Sequence, residues 1–277
     1  MSISKTKNIA IALLVFINVF LLAVIIIDNI ADARDERNSL ENTCAVMQAG
    51  GVGVDPENIK AGTGLRTMRT VRGDEAEEAI ARAVLGDTEM TDQGVIYLYE
   101  NPHNGTALFA SAGDFEITLN RGVVTAGDGK LREVQRILRD MAIETSSVES
   151  IHGNESETFI AVCRYSEYEI FNCIIEFIWD ENDLQTIKGR YVTGFEIAEG
   201  GTGLSSVSTA LLAFLAAVKN ENRDDISFSY IYSMESGYQH RVVGAFGEGE
   251  IIPSWLVFTD TGRYIFDSAT GEIQSFG

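Results

Sequence analysis

Residues 251–276, IIPSWLVFTDTGRYIFDSATGEIQSF, contain three short apolar runs separated by two turn sequences. The runs are Ile251–Thr259, Gly262–Asp267 and Glu272–Phe276. Each run is rich in aromatic and β-branched residues, which favours β-strands. The turn sequences Thr259-Asp260-Thr261-Gly262 and Ala269-Thr270-Gly271 supply the glycine and short polar side chains that tight hairpins need. The stretch therefore predicts three consecutive antiparallel strands.

A helix with one apolar face is predicted before this stretch and before each of two similar stretches nearer the N-terminus. The helices are predicted from Asp74, over Lys130–Ala142 and over Ser205–Lys219, and Glu77 completes a capping-box pattern at the first. The remaining predicted strands are Val95–Tyr99, Thr106–Ala110, Phe115–Leu119, Thr158–Tyr165, Ile170–Trp179, Leu184–Phe195 and Phe228–Met234. A helix packed on one face of an antiparallel sheet, and then repeated, is an α+β architecture. We therefore predict tandem helix-on-antiparallel-sheet modules.

The N-terminal region contains an apolar run, Ile9–Ile27, that is interrupted only by Asn18. A helix of this length rises ~28 Å, close to the ~30 Å hydrocarbon thickness of a bilayer, so we predict a transmembrane helix. Lys5 and Lys7 favour a cytoplasmic N-terminus and an extracytoplasmic C-terminal domain in the cell membrane. A cleaved secretory signal is the alternative, because Ala31-Asp32-Ala33 resembles a cleavage site, although the apolar run exceeds the ~7–15 residues of a signal.

Three residues in the middle of this run are candidates for binding a partner within the bilayer. They are Phe16, Asn18 and Phe20. An amide in hydrocarbon gains about 1 kcal/mol or less from a hydrogen bond to another helix. An Asn18 that simply faces the lipid is the alternative.

The predicted organisation has six segments. They are a cytoplasmic N-terminus at 1–8, the transmembrane helix at 9–27, an extracytoplasmic helical extension at 28–51, and α+β modules at 52–127, 128–200 and 201–277. Gly50-Gly51 is predicted to end the helical extension, because glycine adopts a positive φ at little cost.

Charge and sequence motifs exclude several classes of function. The chain has 41 acidic and 21 basic residues, and 19 of the basic residues lie in 28–277 with all the acidic ones. An acidic surface of this kind argues against nucleic acid and against anionic lipid headgroups as partners. No G-x-S-x-G, H-E-x-x-H or P-loop sequence occurs, and the three histidines are scattered. We therefore predict no catalytic residue, no metal site and no cofactor, while a hydrolase would need a cleft with an unusual carboxylate pair.

Two of the three cysteines lie in one predicted hairpin. Cys163 and Cys173 face each other if that hairpin centres on Tyr168. A cross-strand disulfide in an oxidising exterior and two buried free thiols are both consistent with this spacing.

The last quarter of the chain resembles the end of a PepSY-type module. In such modules a proline and a tryptophan open a strand, a turn leads to a second strand, and an A-x-G-E turn leads to the last strand. The residues that carry the resemblance are Pro253, Trp255, Gly262, Tyr264, Asp267 and Gly271. Residues 168–190 resemble a second such module. The resemblance implies that Trp255 and Tyr264 pack on the preceding helix and that Gly271 makes the last turn.

One membrane helix followed by tandem PepSY-like modules is similar to the YycH/YycI family. These proteins are membrane-anchored regulators of a WalK-type sensor histidine kinase that governs cell-wall metabolism. The resemblance is strongest in 168–277 and architectural before that. It implies a non-enzymatic extracytoplasmic protein, with a membrane-embedded sensor histidine kinase and a sister regulator of the same family as partners. PepSY domains are also linked to peptidase inhibition and to spore or cell-wall proteins, which gives the alternative function.

Overall fold

The computed structural model describes residues 18, 34–60, 62, 64–153, 156–220, 228–244 and 248–276. Within them, four helices accompany one 16-stranded sheet, which confirms the predicted α+β class. The helices are α1 (residues 34–49), α2 (Asp74–Leu85), α3 (Lys130–Asp140) and α4 (Val207–Asn220).

The strands follow the predicted order, with several additions. They are β1 (Gly53–Val54), β2 (Ile59–Lys60), β3 (Met68–Thr70), β4 (Glu89–Asp92), β5 (Ile96–Asn101), β6 (Gly105–Ala110), β7 (Asp114–Leu119), β8 (Thr145–His152), β9 (Ser156–Tyr165), β10 (Tyr168–Asp180), β11 (Asp183–Arg190), β12 (Glu196–Ile197), β13 (Tyr230–Val242), β14 (Gly249–Thr259), β15 (Arg263–Phe266) and β16 (Ile273–Phe276). A 3-10 turn at Pro56–Asn58 lies between β1 and β2.

Three stretches of the chain share one local arrangement, a helix followed by four consecutive antiparallel strands. We call them the first unit (α2 and β4–β7), the second unit (α3 and β8–β11) and the third unit (α4 and β13–β16). In each unit, every strand pairs with the next one along the chain. Such sequential pairing needs only short turns, and the sequence marks these turns well.

The units are joined through their strands. β7 pairs with β11 in antiparallel fashion, so the first two units form one continuous sheet in the order β4-β5-β6-β7-β11-β10-β9-β8. Buried residues of α2 and α3 belong to the same core cluster, which includes Ile80, Val134 and Phe177. The second unit meets the third where Ile170 of β10 pairs with Tyr238 of β13. The segments predicted as 52–127 and 128–200 therefore share a sheet and a core, and their predicted boundaries stay predictions.

The chain before the first unit returns to the third unit. β1 and β2 pair in parallel with β13, and β3 pairs with β14 and with β12. These pairings place β1, β2 and β3, which the sequence assigns to the module at 52–127, at the sheet of the third unit. Strands of two or three residues carry no periodicity, so only the long-range pairing reveals them.

The start of α2 corrects one detail of the sequence interpretation. The N-cap residue is Gly73, which makes no side-chain capping bond. Glu77 is not part of a capping box, because its carboxylate accepts two hydrogen bonds from Arg72, at 2.8 and 2.9 Å. A charge-assisted bidentate pair is stronger than a capping bond to a backbone N–H, so the Glu77 carboxylate pairs with Arg72.

Candidate functional site

The residues that carry the module resemblance lie together in the third unit. Trp255 of β14 and Tyr264 of β15 share a core cluster with Phe214 of α4, and the Tyr264 and Phe214 ring centroids are 6.2 Å apart. Trp255 is fully buried. These contacts agree with the packing that the resemblance implies for the two aromatic residues.

Pro253 lies at a point of β14 where its missing N–H is not needed. On one side of β14, Pro253 is opposite Tyr238 of β13. On the other side, β3 pairs as far as Ile251 and β15 pairs from Trp255 onward. The proline therefore occupies the gap between these two partner strands, which is a tolerated position for proline in a sheet.

The last turn is built around Asp267, which is 4% exposed. Its carboxylate accepts hydrogen bonds from the Ala269 N–H at 2.9 Å and from the Thr270 hydroxyl at 2.7 Å. Gly271 has φ +79° and donates its N–H to the Asp267 carbonyl at 2.8 Å. The positive φ is the reason for a glycine at 271, because a Cβ is disfavoured there. The carboxylate and the glycine together fix the A-x-G-E turn.

Helix α1 packs on the third unit with one face. Met47 is fully buried and Thr43 is 6% exposed, whereas the opposite face is solvent-exposed. Leu40 packs against the same cluster, and the Ser39 hydroxyl donates to the Ser208 hydroxyl of α4 at 2.9 Å. Fully burying an apolar side chain of this size contributes roughly 1.5–3 kcal/mol, so Met47, with a smaller contribution from the half-buried Leu40, holds α1 against the unit.

The end of α1 continues directly into the sheet. Gly51 has φ +86°, and the Val52 N–H donates to the Met47 carbonyl at 3.0 Å, which closes the helix with a left-handed turn. β1 then pairs in parallel with β13 through Gly53 and Tyr230. The helix, the turn and the strand form one continuous connection from α1 to the centre of the third unit. Within the described residues, α1 ends at residue 49, beside the Gly50-Gly51 pair that was predicted to end the helix.

Asn172 and His240 connect the second and third units. The Asn172 side chain donates to the His240 carbonyl and accepts from the His240 N–H, both at 2.7 Å. The imidazole is 4% exposed, and its Nδ1 has no hydrogen-bond partner among the described residues. Burial is the main cause that lowers the pKa of His240 to about 4, and the positive charge of Arg190 lowers it further. The imidazole is therefore neutral at physiological pH.

The two predicted cysteines lie beside this connection. Cys163 and Cys173 are buried and are free thiols in this structure. Burial raises the pKa of Cys163 to about 12 and raises that of Cys173 well above its ordinary value. Thiols with such pKa values are poor nucleophiles at neutral pH. Nearby, Arg190 binds Asp114 with two hydrogen bonds, at 2.8 and 2.9 Å, and thereby links β11 to β7.

A buried ion pair closes the start of α2. The side chains of Arg72 and Glu77 are 13% and 11% exposed, and Arg72 also donates to the Phe109 carbonyl at 3.1 Å. The guanidinium carbon lies 3.8 Å from the ring centroid of Tyr97. Burial raises the pKa of Glu77 despite the arginine. The adjoining cavity has about 30 Å³, room for about one water molecule, so the pair has a structural role.

The residues predicted to act within the bilayer are mostly outside the described part of the chain. Asn18 is helical and exposed, whereas Phe16 and Phe20 lie outside the described residues. No helix of the described part is both long enough and apolar enough to cross a bilayer. The transmembrane segment at 9–27 therefore stays a prediction. The described residues also contain no cluster of metal-ligating side chains.

Sequence reasoning missed the polar pairs that join the units. Asn172 and His240 are 68 residues apart, and Arg190 and Asp114 are 76 residues apart. A polar residue at an inward position of an otherwise apolar strand is the one signal that could have indicated Asn172 and His240.

Comparisons with known proteins give two similar solved structures. No family model and no curated protein matches the chain. An uncharacterized protein from Eubacterium rectale is 10% identical with a TM-score of 0.49, over 82% of this chain and 90% of that one. The C-terminal domain of YpeB from Bacillus megaterium is 12% identical with a TM-score of 0.34, over 76% of this chain and 99% of that one. Neither likeness assigns a function to this chain.

Proposed function

We propose that this chain is a non-enzymatic, single-pass membrane protein that regulates a sensor histidine kinase by protein–protein contact. Its N-terminus is cytoplasmic and its α+β domain is extracytoplasmic. Phe16, Asn18 and Phe20 contact the helices of the kinase in the bilayer, and a sister regulator of the same family completes the complex. The extracytoplasmic modules are of the PepSY type, and the kinase governs cell-wall homeostasis.

One observation supports this proposal most directly, the attachment of α1 to the third unit. The sequence predicts one helical extension from the bilayer through 28–51, and α1 occupies residues 34–49 of it. Met47 at its far end is fully buried in the third unit. A rigid connection of this kind would transmit a tilt or rotation between the predicted transmembrane helix and the α+β domain. A flexible linker would hold the domain at the membrane equally well, but it could not transmit such a motion.

The first experiment separates recognition in the bilayer from recognition by the domain. The full-length chain and a version with an unrelated spanning helix at 9–27 are co-expressed with epitope-tagged sensor kinases of the host, one kinase at a time. We expect the native helix alone to co-purify one kinase and to change phosphorylation of its response regulator. Capture of that kinase by both versions would move recognition into the domain. Inhibition of a peptidase by both versions, with no kinase captured, would favour the PepSY-type peptidase inhibitor and refute the proposal.

The second experiment tests the rigid connection. Inserting two alanines between residues 33 and 34 of a continuous helix would rotate the α+β domain by about 200° relative to the predicted transmembrane helix. Inserting seven alanines would restore the original orientation to within about 20°. We expect the shorter insertion to abolish the effect on the kinase and the longer insertion to retain it. Equal activity of both insertion variants would contradict transmission through a rigid helix.

A further inference from the structure

The strand β8 forms a long, open edge of the sheet in the second unit. Among the described residues it pairs with β9 alone. It has eight residues, whereas β4 and β16, which are also edge strands there, have four each. Open edges are usually short, charged or covered, because unpaired backbone groups attract other strands. β8 carries one acidic residue, Glu149, and an Ile151 that is 57% exposed, and its pairing with β9 is irregular between Thr145 and Val148, so its regular open edge runs from Val148 to His152.

The pairing register identifies which backbone groups of β8 are open. The Gly153 N–H donates to the Ser156 carbonyl at 2.8 Å, so this pair is hydrogen-bonded at the hairpin. In an antiparallel ladder, hydrogen-bonded and non-hydrogen-bonded pairs alternate. The N–H and C=O groups of Val148, Ser150 and His152 therefore point away from β9. These three residues present the donors and acceptors that an added strand needs.

A groove lies between this edge and helix α3. It has a volume of about 380 Å³. Its apolar floor consists of Leu138, Ile143 and Val148, and polar residues of α3 and β8 form its walls. A strand added along Val148–His152 would reach this floor at its Val148 end. Main-chain pairing beside a pocket for side chains is the arrangement by which sheets bind extended peptides.

The charge beside the groove differs from that of the whole chain. The chain has a formal net charge of −20, yet α3 carries four basic and two acidic residues. Arg136 binds Glu133 and Asp140, at 2.5 and 2.6 Å, and neutralises both acidic residues of the helix. Arg139 lines the groove, is exposed and forms no ion pair within the described part of the chain. A carboxylate in the bound segment would complement this guanidinium.

We propose that this edge and groove bind an extended, acidic peptide segment of a partner protein. The segment adds to β8 as a further strand, and one of its carboxylates contacts Arg139. A second copy of this chain, pairing through its own β8, is the competing occupant, and the sedimentation test below distinguishes it from the peptide. The inference does not depend on the proposed regulation of a kinase.

The test uses the full-length chain in detergent and a fluorescent peptide of eight residues, with alternating valine and threonine and two glutamates. A twin peptide carries two lysines in place of the glutamates. We expect the glutamate peptide to bind roughly tenfold more tightly in fluorescence anisotropy, and Arg139→Glu to reverse this preference. Arg139 is exposed on a helix, so its substitution leaves folding intact, which circular dichroism verifies.

A second variant tests the strand addition itself. Ser150→Pro removes one outward N–H without breaking a bond to β9, and Ser150→Ala is the matched control that keeps the N–H. We expect the proline variant to bind the glutamate peptide about tenfold more weakly than the alanine variant. Equal binding by these two variants, or equal affinity of wild type for the two peptides, would overturn the proposal. Sedimentation that shows a dimer lost in Ser150→Pro would replace the peptide with a second copy.

Discussion

Replacing the buried His240 with leucine should change how the stability of the protein depends on pH. The folded-state pKa of about 4 lies below the unfolded value of 6.5. Between these values the unfolded chain binds a proton at His240 and the folded chain does not, so stability falls as the pH falls. Above about pH 7.5 neither state is protonated, and the imidazole contributes no slope.

The size of the effect follows from the two pKa values. At about 1.4 kcal/mol per pKa unit, the interval from 6.5 to about 4 corresponds to a loss of roughly 3 kcal/mol far below pH 4. At about pH 5 the loss is roughly 2 kcal/mol. The burial of Glu77 raises the pKa of that carboxyl and acts in the opposite direction, but it does so equally in wild type and variant. The difference in the pH dependence of stability between wild type and His240→Leu therefore isolates the contribution of His240.

The assay is urea unfolding followed by the fluorescence of Trp179 and Trp255, which are both fully buried. We expect His240→Leu to be more stable relative to wild type at about pH 5 than at about pH 7.5, by roughly 2 kcal/mol. The packing cost of the leucine is the same at both pH values, so it cancels when the stability difference at one pH is compared with that at the other. His103→Leu, at an exposed position, is the control and should leave the slope unchanged. The same slope in His240→Leu and wild type would refute the assignment of this proton to His240.

Three further predictions concern stability and thiol reactivity. Ala142→Gly should raise the free energy of unfolding by about 0.5–1 kcal/mol in urea titration, because Ala142 has φ +56°, and a loss of stability would contradict this reading. Arg72→Met should lower that free energy by about 3 kcal/mol because it leaves the Glu77 carboxylate buried alone, and adding Glu77→Leu should restore most of it in thermal unfolding. Cys163 and Cys173 should resist alkylation by iodoacetamide in the folded protein. Both should be alkylated after the protein is unfolded without a reductant, and mass spectrometry measures the alkylation. Their failure to react when unfolded would indicate the disulfide.

The local structure of the chain was largely predictable. The apolar run Ile251–Thr259 and the turn after it correspond to β14 and its hairpin, and α2 begins at the predicted Asp74. Such elements are encoded by the spacing of apolar residues and by turn residues that are close in sequence. β8 was not predicted, because its sequence TSSVESIH is mostly polar and shows no clear alternation. Its strand conformation depends on pairing with β9.

The candidate site was predictable only where it is local. The turn from Asp267 to Gly271 was indicated by its own residues, because the carboxylate and the glycine act within five positions of the chain. The groove beside β8 gave no sequence signal, since its floor combines Leu138 of α3, Ile143 of the turn after it and Val148 of β8, a strand that the sequence did not predict. The predicted bilayer contacts of Asn18 and its neighbours remain predictions.

The sequence by itself determined the helices, most of the strands and the turns, and through them the repeated order of a helix followed by antiparallel strands. Only the tertiary structure decided that β7 joins β11, that β1–β3 return to the third unit, and that His240 is buried with a ring nitrogen that no described residue pairs. The physical reason is the range of the interactions. Periodicity and turn chemistry act over a few residues, whereas strand pairing between units and the burial of a polar group depend on residues far apart in the chain.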